Sequence, residues 1–198
     1  MITMQNIIRE GHPTLTTKSI PVILPLSKED IKLGKDLLEY VINSQYDEKV
    51  KKYRLRPSVG LAAPQVNKLK RMFAMHVQDL DGELYSYIII NPEIIGSTKE
   101  ECFIPGGEGC LSVDRPTEGL TPRKYGIRFR GYTLDPETEH TQPIEMDLVG
   151  YPAIVFQHEF YHLDGIMFTT KLYKELPNAF PLFEVDADSE SDETETQE

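Results

Sequence analysis

A late segment of the chain combines the spacing of two metal ligands with an apolar run, and this combination constrains the fold more than any other feature. His158, Glu159 and His162 stand in the order His-Glu-x-x-His, shortly after the apolar residues 153–156. Histidines four positions apart lie on one face of a helix, so both imidazoles can reach one ion. Glu159 lies beside them, where a carboxylate can act as general base on a water next to a Lewis acid. The segment therefore predicts a buried helix that carries a metal site.

A catalytic metal site of this kind commonly has three protein ligands and one position for water. A longer protease pattern with a third histidine fails here, because Phe168 stands where that histidine would be. Two acids downstream, Glu175 and Glu184, are alternatives. Cys110 follows a glycine-rich turn upstream, and a thiolate is a good ligand beside two imidazoles. We favour Cys110, whose alternative interpretation is a buried inert thiol, and we interpret Cys102 as such a thiol.

A loop at residues 59–65 reads Val-Gly-Leu-Ala-Ala-Pro-Gln and ends in one amide side chain. Gln65 can donate a hydrogen bond to a carbonyl oxygen that gains charge during a reaction. The loop is therefore a candidate oxyanion site. The alternative is a turn before a strand, with Gln65 exposed to solvent.

The charge of the chain is concentrated at its C-terminal end. Lys and Arg number 21 against 32 Asp and Glu, which gives a net charge of -11, and seven of the acids lie in residues 186–198 without a basic residue between them. We predict a folded catalytic domain at residues 1–183 and a disordered acidic tail at 184–198. A balance this acidic argues against nucleic-acid or anionic-membrane binding, and the absence of a leader or apolar span predicts the cytosol.

Strand-like and helix-like stretches alternate irregularly along the chain. A first helix is predicted to start after the capping residue Ser27 and to end before Arg56. Strands are predicted at residues 71–78, 84–90 and 126–134, and the second helix is predicted from residues 150–152 to about Leu163. This order predicts an α+β fold with mixed or antiparallel sheets packed around a central helix, the one with the His-Glu-x-x-His motif.

Three segments resemble, in sequence and in order, the motifs of the peptide deformylase family. They are Gly60-Leu61-Ala62-Ala63-Pro64-Gln65, Glu108-Gly109-Cys110-Leu111-Ser112, and Gln157-His158-Glu159 followed by His162, Leu163 and Gly165. The similarity extends from about residue 8 to about residue 172. The segment before Gly60 and residues 113–115 resemble the class II-like branch that is typical of Gram-positive bacteria.

The resemblance implies roles for residues at matching positions. Cys110, His158 and His162 would hold a metal ion, and Glu159 would take a proton from the water on that ion and pass it to the departing amine. The side chain of Gln65 and the backbone N–H of Leu111 would stabilise the oxyanion. The substrate peptide would bind to the backbone of Val59, Gly60 and Leu61. The methionine pocket would be lined by Ile154 and Val155.

The implied reaction is hydrolysis of the formyl group from N-formylmethionyl peptides as they leave the ribosome in the bacterial cytoplasm. The resemblance implies ferrous iron as the ion in the cell, with nickel, cobalt or zinc able to take its place. The ligand set alone would favour zinc. Two other functions remain as alternatives: a metallopeptidase that cuts internal amide bonds, and a non-catalytic relative that binds peptide N-termini.

Two positions depart from the family pattern. Tyr161 stands where the family normally has Asp, and Ser58 stands where it usually has glycine. We expect an active protein with altered affinity or substrate range. Two arginines downstream of Cys110, Arg115 and Arg123, are candidates to bind an acid near the metal such as Glu108.

Overall fold

A computed structural model describes residues 1–184 of the chain; the acidic tail predicted at 184–198 therefore lies, apart from Glu184, outside the described residues. The helices are α1 (Lys28–Asn43), α2 (Asp47–Tyr53) and α3 (Tyr151–Leu163). The strands are β1 (Gly60–Ala62), β2 (Met72–Gln78), β3 (Leu84–Ser97), β4 (Glu101–Phe103), β5 (Arg123–Lys124), β6 (Gly126–Leu134), β7 (Thr141–Val149) and β8 (Ala179–Pro181). No helix in this part of the chain is long and apolar enough to cross a membrane.

The strands form two sheets. The larger sheet is antiparallel, in the order β1-β2-β3-β6-β7, and the smaller one has the order β5-β4-β8 with β4 and β8 parallel. Long helices and mostly antiparallel strands confirm the predicted α+β class.

Alternate residues of β2 point to opposite faces of the larger sheet, and each face is covered by one long helix. Met72 and Ala74 belong to the core that packs under α1, whereas Phe73 and Met75 belong to the core that packs under α3. On the other side of α3, the side chain of Gln157 bonds the backbone of Lys124 in the smaller sheet. The motif-bearing helix α3 therefore lies between the two sheets, as the sequence predicted.

The first helix starts where its capping signal predicts. The Ser27 hydroxyl accepts a hydrogen bond from the Asp30 backbone N–H, 3.1 Å away, which satisfies one free donor of the first turn. Helix α1 ends at Asn43, and α2 starts at Asp47. The segment before Arg56 thus holds two helices where the sequence predicted one.

The strand predictions hold for β2 and β6 but fall short elsewhere. The predicted end of β3 at Asn91-Pro92 is wrong, because a register shift between Ile90 and Glu93 lets the strand continue past the proline. Strand β7 was not predicted at all, although it pairs with β6 along its full length.

Candidate metal centre

Three donor side chains converge on one point between α3 and the loop before β5. Cys110, His158 and His162 each contribute one ligand atom, and these atoms all lie within 4.8 Å of one another. Within residues 1–184 this is the one group of His, Cys, Asp or Glu side chains gathered in this way. The alternatives Glu175 and Glu184 do not belong to it.

The spacing of the donors fits a single ion. The Cys110 Sγ and the His162 Nε2 lie 3.4 Å apart. Two such ligands on a tetrahedral ion, with metal–sulfur and metal–nitrogen bonds of ~2.3 and ~2.1 Å, would lie ~3.6 Å apart. One sulfur and two imidazoles also suit a borderline transition metal in their chemistry. The group therefore has the donors and the spacing that a Cys-His-His metal site requires.

Glycines allow the loop to bring Cys110 to the helix. Gly106 and Gly107 have φ angles of +82° and +89°, and a Cβ at Gly107 would come within 2.8 Å of the carbonyl oxygen of Gly119. Only glycine adopts such positive φ angles without strain. Cys102, in contrast, is fully buried in β4, and burial raises the pKa of its thiol to about 11, as suits an inert structural thiol.

An acid and an arginine fix one of the imidazoles. The His158 Nδ1 lies 2.8 Å from a carboxylate oxygen of Glu108, and Arg123 donates two hydrogen bonds of 2.7 Å to the same carboxylate. Burial would raise the pKa of Glu108, but the hydrogen bonds from Arg123 and His158 outweigh it and lower the pKa to about 2. The charged carboxylate keeps the proton on Nδ1 and leaves Nε2 for an ion. Arg115, the other candidate, pairs with Glu10 instead.

Glu159 lies beside the three ligands and keeps a free oxygen. The residue is 4% exposed, and its Oε2 has no hydrogen-bond partner in the part of the chain that the structure describes. Burial raises the pKa of this carboxyl to about 7. A carboxyl with such a pKa can both accept and return a proton near neutral pH.

Gln65 is buried and oriented, not exposed. Its side-chain oxygen accepts a 2.8 Å hydrogen bond from the Ala62 backbone N–H, and this contact fixes the amide. Its NH2 group is directed to Cys110 and Ser112, with 3.4 Å to the Sγ and to the Oγ. The amide donor therefore points at the metal-binding group.

A cavity of about 440 Å³ opens beside these residues. Four residues predicted to contact substrate line it, namely Val59, Gly60, Ile154 and Val155. The predicted catalytic residues Gln65, Leu111 and Glu159 and the predicted metal ligands Cys110 and His158 line it too. The side chain of Leu61 belongs to the core beneath α1. Arg56 and Tyr151 also line the cavity; sequence reasoning missed both, although each stands next to a motif that it recognised.

Strand β1 forms one edge of the larger sheet, next to this cavity. The Val59 carbonyl accepts a hydrogen bond from the His76 N–H, 2.9 Å away. With Gly60 opposite Met75, this pattern turns the N–H and C=O of Gly60 away from β2. Ser58 covers both groups: its hydroxyl donates to the Gly60 carbonyl at 2.6 Å and lies 3.4 Å from the Gly60 nitrogen.

Comparison with known proteins gives the family of the chain. The polypeptide deformylase family matches residues 4–177 of the chain. Peptide deformylase 2 of Geobacillus stearothermophilus is 51% identical over 87% of this chain and 91% of the relative, and peptide deformylase 2 of Bacillus subtilis strain 168 is 49% identical over 89% and 94%. The crystal structure of a class I type b peptide deformylase from Acinetobacter baumannii with Met-Ala-Ser bound is similar, with a TM-score of 0.63, 25% identity, and coverage of 84% of this chain and 96% of that one. The chain belongs to the polypeptide deformylase family.

Proposed function

We propose that the chain hydrolyses the formyl group from the N-terminal formylmethionine of nascent polypeptides, with a divalent ion held by Cys110, His158 and His162. One observation carries the proposal. The three donors lie close together, and two of them, Cys110 and His158, line a cavity with the Glu159 carboxylate and the oriented Gln65 amide, next to the edge strand β1. The family to which the chain belongs and the names of its relatives support the same reaction.

When bound, the ion supplies Lewis acidity, which favours ionisation of a water and polarises the formyl carbonyl. Cys110, His158 and His162 leave one position open for these oxygens. We propose ferrous iron as the ion in the cell, with nickel, cobalt or zinc able to occupy the same ligands.

Glu159 is the proposed general base and acid. It takes a proton from the attacking water and delivers it to the methionine nitrogen as the bond between that nitrogen and the formyl carbon breaks. Formate and a peptide with a free amine are the products. Its burial and its unpartnered oxygen support this role, because such a carboxylate can face the water without competition from another hydrogen bond.

Gln65 and the backbone N–H of Leu111 are the proposed oxyanion donors. The Gln65 amide is held from behind by Ala62, so its donors do not have to be reoriented when charge develops on the formyl oxygen. Leu111 directly follows the ligand Cys110 and lines the same cavity, which supports its participation.

The substrate peptide is proposed to add to the open edge of β1. Gly60 offers an outward N–H and C=O there, with Val59 and Leu61 on either side as the residues that pair with β2. Ile154 and Val155, one helical turn before His158, line the cavity and suit the methionine side chain. The Met-Ala-Ser peptide named in the Acinetobacter baumannii structure begins with the same residue.

The proposed substrate implies action in the bacterial cytoplasm, where formylated chains leave the ribosome, and a transient meeting with the ribosome itself. Co-sedimentation with translating ribosomes, compared with empty ribosomes, tests that meeting. Absence of the protein from the pellets of both translating and empty ribosomes would contradict it.

Formate release from formyl-Met-Ala-Ser tests the reaction. The anaerobically purified protein with iron or nickel should release one formate per peptide, and Glu159→Gln should retain the metal but lose at least ~100-fold in turnover. Full turnover by that variant would refute the general base. Peptide binding without formate would favour the non-catalytic alternative, and cleavage of an internal peptide bond would favour the metallopeptidase.

A further inference from the structure

Tyr161 lies on α3 between the two histidine ligands and the smaller sheet, and the chemistry proposed above does not use it. Its ring centroid is 4.8 Å from the guanidinium carbon of Arg123 and 4.5 Å from the Lys171 Nζ. Two cations thus lie over one aromatic ring, and one of them belongs to the buried group that holds His158.

Arg123 is the buried cation of that group, and its hydrogen bonds are incomplete. It is 2% exposed, and its Nε and Nη2 both donate to Glu108. Its Nη1 is buried and has no hydrogen-bond partner among residues 1–184. Within the described residues, hydrogen bonds therefore hold the guanidinium only through Nε and Nη2, on the side of Glu108.

The ring of Tyr161 adds a second contact to the same guanidinium. An aromatic face attracts a guanidinium, and the attraction is stronger when the cation is removed from water, as Arg123 is. Tyr161 is three residues after His158 on the same helix, so α3 holds both ends of a chain of contacts. The order is Tyr161 ring, Arg123 guanidinium, Glu108 carboxylate and His158 Nδ1.

We propose that Tyr161 is a positioning residue of the metal centre: its ring holds Arg123 against Glu108, and Glu108 in turn fixes the His158 imidazole for the ion. The inference rests on the proposed metal site but not on the proposed reaction. Residues that orient metal ligands typically change metal affinity by ~10–100-fold when they are lost.

The first test is the affinity for Co²⁺ or Zn²⁺, measured by chelator competition in the absence of substrate. Tyr161→Phe keeps the ring and should bind the metal as the parent does. Tyr161→Leu removes it and should bind about tenfold more weakly. Tyr161→Met should weaken metal binding to the same extent, and it replaces the leucine variant if that one fails to fold.

Phe160→Leu is the matched control. Phe160 is the preceding residue on α3, and its ring lies 5.3 Å from the guanidinium of Arg71, which does not contact Glu108. This variant loses a similar contact between a cation and a ring, so general destabilisation of α3 should affect it equally. We expect its metal affinity to stay within about twofold of the parent. Equal losses in Phe160→Leu and Tyr161→Leu would overturn the proposal, as would an unchanged affinity in Tyr161→Leu or a loss in Tyr161→Phe.

The second test observes the His158 ring directly. In the Zn²⁺-loaded protein, the proton that His158 Nδ1 donates to Glu108 should give a protected low-field NMR resonance. Tyr161→Phe should keep this resonance, and Tyr161→Leu should broaden it or shift it upfield. Tyr161→Asp, which offers a carboxylate to the free Nη1 of Arg123, should restore it; an unaltered resonance in Tyr161→Leu would overturn the proposal. Because neither test uses a formylated peptide, a failure of the proposed reaction remains distinguishable from a failure of this inference.

Discussion

Gly60 of β1 lies directly against the carboxylate of Glu159, so any side chain at position 60 would force this carboxylate to move. A Cβ built on Gly60 would be 2.5 Å from Oε1 of Glu159 and 2.8 Å from its Cδ. The glycine therefore leaves room for the proposed general base between the helix α3 and the edge strand β1. Gly60 also has the outward backbone groups to which the substrate peptide is proposed to bind, so the proposal gives this residue two functions.

Gly60→Ala is expected to displace Glu159 and lower turnover by about 100-fold, the contribution typical of one general base. The metal should remain bound, because none of its three ligands moves. The measurements are formate release and metal content of the same sample. Gly96→Ala in β3 is the matched control, since a Cβ there finds ordinary space 3.6 Å from Arg128. Unchanged turnover in Gly60→Ala would show that Glu159 does not need its present position.

Ser58 is expected to compete with the substrate peptide for the edge of β1. Its hydroxyl already donates to the outward carbonyl of Gly60, so a peptide that adds to this edge must first displace it. Ser58→Ala should lower KM about fivefold with little change in kcat, because a typical hydrogen bond contributes about 1 kcal/mol. Steady-state kinetics with formyl-Met-Ala-Ser measures both constants. A higher KM in the variant would mean that the hydroxyl helps to bind the peptide.

Gln65→Glu tests the donor function of the Gln65 amide separately from its acceptor function. The variant keeps an oxygen for the Ala62 N–H but loses the NH2 donors that face Cys110. We expect kcat to fall at least ~100-fold with KM nearly unchanged, as for other lost oxyanion donors. Metal titration of the variant controls for disturbance of Cys110. If kcat were retained, the oxyanion would have to be stabilised without Gln65.

Asp30 is predicted to make stability depend on pH. Burial would raise the pKa of its carboxyl, but hydrogen bonds from Lys70 and Ser27 lower the pKa below its usual value. Since the folded pKa lies below the unfolded value of ~3.9, this contribution is complete above that pH and is lost as the pH falls through the folded pKa.

Asp30→Asn should therefore lower the free energy of unfolding by about 1 kcal/mol at pH 7, the contribution of one hydrogen-bonded polar group. The difference from the parent should shrink as the pH falls below ~4, because the unfolded parent binds the proton first and the folded carboxyl becomes neutral only at its lower pKa. Urea unfolding from pH 7 to pH 3 measures it. A difference that stays constant over this range would show that the charge of Asp30 does not contribute.

Local signals were sufficient for the parts of the site that lie on one element. The spacing of His158 and His162 and the capping residue Ser27 act within a few residues, and the structure agrees with both of them. The loop ligand Cys110 was also recognised, because its glycine-rich approach and its thiol are both visible in the sequence.

Other features depend on contacts between distant segments, which no local pattern encodes. Strand β7 has exposed and half-buried residues along most of its length, so its pairing with β6 rather than its own pattern makes it a strand. The choice of Arg123 over Arg115 as the partner of Glu108 depends on how β5 packs against α3. The contact of Ser58 with Gly60 likewise depends on the position of β1 at the edge of the larger sheet, where the Gly60 carbonyl has no partner strand.

The ligation of one ion by Cys110, His158 and His162 is the central claim, and X-ray absorption spectroscopy of the nickel- or zinc-loaded protein tests it most directly. We predict one metal per chain, with one sulfur and two imidazole nitrogens around it, and loss of the sulfur in Cys110→Ser. A metal coordinated by nitrogen and oxygen alone in the parent protein would contradict the account.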